Sequence, residues 1–399
     1  MAFTDLPQEL VDAVLDNLHD DIPTLKACSL AARIFLTSAR IHLFNKIEIT
    51  PPLATHDPSQ QFYDLLLSSP YIAPLVDELC IVLGPETSFK YDSHGSYLHG
   101  HDPWIMTESP LFLILPLLNL KRISLTENAP MKWSQDGYSL KWDELAPELK
   151  SALTHVFSSP TLRQVHLRGI VVDSCFQLFS LFSDATALEE LRLSRVHVIQ
   201  GDNGILWPES RPWRPQLESL LVSEFGGDLL SRCLADPRIE LTHLKLLTNA
   251  SNSNSSNQVL SNLLQAASPE LEHLRLWMHS PHWLPDSFGA NLRSVDLYIQ
   301  HVLVSMAKFF IRCDHGMHLE YITFEGPPGL RTASLISLVN TNIKSAVPKL
   351  SFLKMVRIRT PPSRWLDEFR SLLYSLVKRN LLTITEIPRP EDEPYNDWE

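Results

Sequence analysis

The sequence predicts an α/β repeat protein: a small helical module followed by an irregular solenoid whose short strands form one parallel, concave sheet. Three observations predict it. One aliphatic pattern recurs along most of the 399 residues. Segments with helical periodicity fall between its copies. Prolines separate several of these helices from the strand that follows.

The pattern is LxxLxL, with large aliphatics at the first, fourth and sixth places. It reads LKRISL at Leu120, LRQVHL at Leu162, LEELRL at Leu188 and LESLLV at Leu217. It continues as LTHLKL at Leu241, LEHLRL at Leu271, LRSVDL at Leu292, LEYITF at Leu319 and LSFLKM at Leu350, with a looser copy, VDELCI, at Val76. From Leu162 onward successive starts are 21 to 31 residues apart. A period in the twenties with this motif marks leucine-rich repeats.

Helical segments lie between the copies: QQFYDLLLSS, ELKSALTHVF, CFQLFSLF, NQVLSNLLQAA and ASLISLVN. Pro160, Pro215, Pro269 and Pro348 each stand two residues before a motif leucine. Proline lacks the amide proton a helix needs, so it closes the helix before the strand starts. One such unit cannot bury its apolar face alone, and stacked neighbours make a shared core. Leu162, Val165 and Leu167 are thus expected to pack on Leu188, Leu191 and Leu193. The irregular spacing and a wide insertion between Leu83 and Leu111 predict a distorted horseshoe. Asparagine at the ninth motif position is read at Asn128 and Asn249 only.

Bulk composition narrows the function classes. The formal net charge of -12 argues against nucleic acid as a partner. Five cysteines, scattered and without a CxxC, predict reduced thiols in a cytoplasmic or nuclear protein. The apolar run LFLILPLLNL is too short to span a bilayer, and no signal peptide is read, so no membrane association is expected. The segment NASNSNSSN reads as a flexible loop, and the acidic, proline-punctuated 386–399 as a disordered tail.

With repeats filling residues 50–385, residues 1–49 form a separate helical module. A helix from Pro7 puts Leu10, Val14 and Leu18 on one stripe, with Val11 and Leu15 beside it. DIPTLKACSL supplies a second helix, with Thr24 as its expected N-cap, and RIFLTSARIHLF a third. A module this small cannot hide all its apolar side chains, which predicts an interface. The alternative is a cap docked on its own solenoid.

These residues resemble the F-box family, and fungal F-box proteins in particular. Leu6, Pro7, Glu9, Leu10, Val14, Leu15 and Leu18 match the opening of the F-box; Leu25, Cys28, Ser29, Leu30, Phe35 and Phe44 match its later hydrophobic positions. Ile34-Phe35 stands where many F-boxes carry tryptophan. The resemblance implies a non-catalytic substrate receptor of an SCF-type (Skp–cullin–F-box) E3 ubiquitin ligase. It implies that Leu6, Pro7, Glu9, Leu10, Val14, Leu15, Leu18, Leu25, Cys28, Leu30 and Phe35 bind the Skp-type adaptor and, through it, a cullin. A repeat scaffold outside any ligase is the alternative.

In each strand the residues alternating with the leucines face the other way. His166, Arg168, Arg192, Lys245, Arg275, Trp277, Tyr298 and Tyr321 are the expected substrate-binding residues, with His273, Asp296, Glu325 and Lys354 in the same stripe. Cations among aromatics suit an acidic or phosphorylated peptide. The stripe is equally readable as an ordinary solvated sheet face, and RNA is a weaker alternative. No GxSxG, P-loop or GxGxxG appears, so neither an enzyme nor a cofactor is expected. His94, His99 and His101 read as a solvated loop rather than a metal site, and Cys313-Asp314-His315 as a turn after a helix over 302–311.

Overall fold

The computed structural model describes residues 7–52, 56–83, 104–106, 109–126, 140–199, 215–224, 239–251, 262–265, 267, 270–278, 290–299, 302–313, 317–326, 333–360 and 373–386. It is an α/β fold in two compact units, residues 1–129 with 137–169, and residues 130–136 with 170–399. Among the described residues no helix is long and apolar enough to cross a membrane.

The first unit opens with α1 (Gln8–Asp16), α2 (Ile22–Ala31) and α3 (Arg33–Asn45). Val11, Leu15, Leu25 and Ala39 close its small core, with Leu18, Cys28, Ile34, Phe35 and Leu43 packed against them. Asp21, not Thr24, is the N-cap of α2: its carboxylate accepts the Thr24 N–H at 3.1 Å and the Thr24 hydroxyl at 2.6 Å. Thr24 sits one turn inside because Pro23 is tolerated in a first turn, where no amide proton is needed. Ala32, extended at φ -154, separates α2 from α3. A polar bridge ties α1 to α3. Ser38 donates a short hydrogen bond to Asp12, Gln8 Nε2 donates to Asp12 at 2.8 Å, and His42 Nε2 lies 2.9 Å from Asp16. These donors hold the Asp12 carboxyl below its usual range.

Strands β1 (Lys46–Ile49), β2 (Glu78–Val82) and β3 (Arg122–Thr126) follow, with α4 (Pro58–Ser68) and α5 (Leu111–Ile114) between them. Next come the short β4 (Leu140–Lys141), α6 (Pro147–Phe157) and β5 (Gln164–Arg168). Four strands run parallel in the order β1-β2-β3-β5. Their register aligns Leu79, Ile123 and Val165 in one buried row and Ile49, Ile81, Leu125 and Leu167 in another. Parallel neighbours need a crossover of a dozen residues or more, which α4 and α6 supply. Asp57 caps α4 by accepting the N–H groups of Ser59 and Gln60, with Pro58 at the first helical position.

The second unit contains β6 (Ile170–Val172), α7 (Cys175–Ser180), β7 (Glu190–Ser194), β8 (His197–Val198), β9 (Ser219–Glu224), β10 (Leu246–Ser251) and β11 (His273–Met278). It continues with β12 (Ser294–Ile299), α8 (Val302–Ile311), β13 (Tyr321–Glu325), α9 (Ala333–Ala346), β14 (Met355–Thr360), α10 (Tyr374–Lys378) and β15 (Leu382–Glu386). Eight strands pair in parallel from β7 to β15, bypassing β8, in a row not closed into a barrel. The register stacks Leu191, Leu220, Leu247, Leu274, Val295, Ile322 and Val356 into one buried row. At about 1.5–3 kcal/mol for each buried aliphatic, such rows dominate the stability of the sheet. Helix α8 packs on this side, with Phe309 edge-on to Phe324 at 5.7 Å.

The register also corrects two motif readings. Leu244 and Leu353, not Leu241 and Leu350, stand in line with Leu217, Leu271 and Leu319, since Lys245 N bonds Glu218 O and Lys354 N bonds Glu320 O. Leu217, Leu244 and Leu271 are then separated by two equal steps of 27 residues. Leu241 and Leu350 each close a turn whose carbonyl accepts the N–H of the true repeat leucine, at 3.2 Å in both cases. Consequently Asn249 is not a ninth-position asparagine: it stands in the buried row of Leu193, Val222 and Leu276, and is 7% exposed. The expectation of reduced thiols throughout also fails, because Cys175 is disulfide-bonded; separation along the chain does not limit which cysteines a fold brings together. Cys28, Cys80 and Cys313 are free.

Candidate functional site

The helical module divides its apolar residues between two faces. On α1, Val11 and Leu15 are 2% and 1% exposed, whereas Leu10 and Val14 are 54% and 58% exposed. A rotation of 100° per residue produces this division: positions 11 and 15 share one stripe, and 10 and 14 share the next. On α2, Leu25 is buried and Leu30, at 88%, is almost fully solvated. Of the expected adaptor-binding residues, Leu15 and Leu25 therefore hold the module together from inside, while Leu18, Cys28 and Phe35 are half-buried against that core. Pro7, Glu9, Leu10, Val14 and Leu30 face solvent. Leu6 lies outside the described residues, as do His94, His99, His101, Asp314, His315 and the tail beyond Glu386.

Of the expected substrate-binding residues, His166 and Arg168 lie on β5 of the first unit, both half-buried. The others lie in the second unit, all but Lys245 on the sheet face opposite the leucines. The register arranges that face as a lattice. One row runs Arg192, Leu221, Thr248, Arg275, Asp296, Thr323, Arg357 and Thr383. The next runs Trp277, Tyr298, Glu325 and Arg359 across β11 to β14. Tyr321 belongs to a third row, between Ser294 and Met355.

Lys245 is not in the stripe with Arg192 and Arg275. It stands in the row of residues that precede the strands, Glu189, Glu218, Lys245, Glu272, Arg293, Glu320 and Lys354, joined by successive backbone hydrogen bonds. Charges alternate from Glu218 onward, and each cation meets the acid before it. Lys245 Nζ is 2.8 Å from Glu218, Arg293 Nε 3.7 Å from Glu272, and Lys354 Nζ 2.5 Å from Glu320. The hydrogen bond from Lys245 to Glu218 raises the lysine above its ordinary range, and that from Lys354 lowers Glu320.

Most arginines of the open face are also paired. Arg192 Nε lies 2.5 Å from Glu190, Arg275 Nε 3.2 Å from Asp296, and Arg359 Nη1 2.8 Å from Glu325. Arg357, which the motif reading missed because Leu350 was taken as the repeat leucine, has no carboxylate partner among the described residues; its guanidinium lies 3.7 Å from the Met355 sulfur. Trp277 and Tyr298 stack face to face, with ring centroids 4.1 Å apart and planes within 4°. Burial, together with Asp296 and Glu325, pushes the Tyr298 phenol up to about 12. Burial likewise pushes the Glu325 carboxyl up to about 6, against the opposing pull of Arg359.

The arrangement can present stacking rings, a guanidinium and hydroxyls to another chain. On the same face the Ser294 hydroxyl lies 2.7 Å from His273 Nδ1, with Glu272 3.9 Å from His273 Nε2, and among the described residues no cluster of three histidine, cysteine or carboxylate side chains is placed to hold a metal. Neither a protein-family model nor a curated protein matches the chain.

Proposed function

We propose that this chain is the substrate-recognition subunit of an SCF-type E3 ubiquitin ligase. Its N-terminal F-box-like helices bind a Skp-type adaptor and its leucine-rich-repeat-like sheet face holds a protein substrate. Ubiquitin transfer then belongs to other subunits, recruited through the cullin. One observation carries the reading: Leu10, Val14 and Leu30 are exposed on helices whose core is already closed by Val11, Leu15 and Leu25 with Ala39. Interfaces concentrate binding energy in a few such side chains. The substrate is an acidic or phosphorylated protein.

A second reading, a binding scaffold that joins no ligase, is favoured by the docking of α3 on its own unit. Arg40 of α3 lies over the Tyr71 ring at 5.3 Å, as a cap on the repeats would. Gel filtration of the full chain with a purified Skp-type adaptor separates the two. Co-elution of the parent, lost in a folded Leu10→Asp, Val14→Asp variant, supports the receptor. Absence of a complex from a folded parent supports the scaffold.

A further inference from the structure

The stacked rings end at Trp277. Trp277 stands on β11; its register partner on one side is Tyr298 of β12, and on the other side, on β10, the position is Ala250, so that strand does not continue the ladder of rings. The indole is only half-buried. At the other end of the same lattice, Arg357 on β14 stands between Thr323 and Thr383, without a carboxylate partner among the described residues. Between these ends the charges cancel, as Arg275 with Asp296 and Arg359 with Glu325.

We propose that this face takes an extended segment of a partner protein in which an aromatic side chain stacks on Trp277 and a carboxylate about six residues away is held by Arg357. This rests on the reading that the sheet face recognises a protein. The spacing follows from the lattice. Four inter-strand steps of about 4.8 Å separate β10 from β14, and an extended chain advances about 3.3 Å per residue. The aromatic would occupy the rung that follows Trp277, where an offset stack of planar rings is favourable. One guanidinium flanked by two hydroxyls balances one negative charge. That suits a carboxylate better than a phosphate, which carries about -1.5 to -2 and calls for several donors. The neutralised middle disfavours a charged residue there, because an incoming charge would have to break an existing pair.

The test is selection of a phage-displayed random 12-residue library on the full chain, with Trp277→Leu, which keeps apolar bulk but removes the flat ring, and with Arg357→Glu. Circular dichroism checks that both variants remain folded. The expected result is at least tenfold enrichment of peptides with an aromatic and an acidic residue five to seven positions apart. Trp277→Leu should lose the aromatic preference, and Arg357→Glu should exchange the acidic preference for a basic one. Enrichment of another pattern that Trp277→Leu still abolishes would overturn the aromatic–acidic class while leaving the face as a recognition surface. Peptides retained equally by both variants, or no enrichment, would overturn the site itself. A dimer in gel filtration that Trp277→Leu dissolves would overturn it by assigning the face to a second copy of this chain. None of these readouts involves the adaptor, so failure here is distinct from failure of the ligase reading.

Discussion

The Arg359 guanidinium lies 2.8 Å from the Glu325 carboxylate across β13 and β14, and Glu325 is 5% exposed. A buried acid beside a cation is pulled two ways: desolvation disfavours the charge and the guanidinium favours it. Desolvation is the larger effect, and the Glu325 carboxyl rises to about 6 from an ordinary 4.5. The folded chain therefore binds this proton more tightly than the unfolded chain does, and Glu325 contributes stability as pH falls from about 7 through 6 towards 4.5. Relative to Glu325→Gln, the parent should gain stability over that window. Urea unfolding midpoints of both proteins at pH 5 and pH 7 check this; a difference that is independent of pH would contradict it.

Gly326, which follows β13, has φ +140, and its N–H donates to the Arg359 carbonyl at 3.0 Å. A Cβ built there would lie 1.8 Å from the Ile299 carbonyl oxygen, a backbone atom that cannot step aside. Gly326→Ala should therefore destabilise the chain by more than about 2 kcal/mol, from strain and overlap together. A denaturation midpoint matching the parent's would show that the backbone between β12 and β13 can yield.

Much of the fold was legible because period 2 and period 3.6 leave separate marks on a sequence. Leu271, Leu274 and Leu276 signal a strand, and the apolar run over 302–311 signals the helix observed there. What was not legible came from ambiguity at short range. In LTHLKLL and LSFLKMV a second leucine, three residues on, can also open the pattern (after Leu244 with Asn249 in the sixth place), and only the hydrogen-bonded ladder chooses between them. That choice removed Lys245 from the binding stripe and brought Arg357 and Arg359 into it. Pairing was invisible for the same reason: Arg275 and Asp296 are 21 residues apart and meet only through the register.

The corrected register has its own consequence along the row that precedes the strands. Lys245 is flanked there by Glu218 and Glu272, so Lys245→Glu would set three like charges side by side, which is unfavourable across neighbouring strands. Thermal unfolding should show a lowered midpoint for Lys245→Glu and partial recovery when Glu218→Lys is added. The recovery should shrink at 1 M salt, where charges a few ångströms apart are screened. Lack of recovery at low salt would count against the alternation as a stabilising feature.

Finally, α1 separates folding from binding along a single helix. Leu15 is 1% exposed within the core made with Leu25 and Ala39, so Leu15→Ala should cost about 2–5 kcal/mol for that module. Leu10, one helical stripe away and 54% exposed, should tolerate aspartate with little change in unfolding. Under the receptor reading, however, Leu10→Asp removes adaptor binding, since a charge facing an apolar groove must be desolvated without a partner. Paired measurements on each variant, an unfolding midpoint and adaptor co-elution, should therefore diverge. Leu15→Ala should lose stability first and binding only as a consequence, whereas Leu10→Asp should lose binding alone. If both variants bind the adaptor as the parent does, the exposed stripe of α1 is not the contact surface, and the helices act as a cap on their own unit.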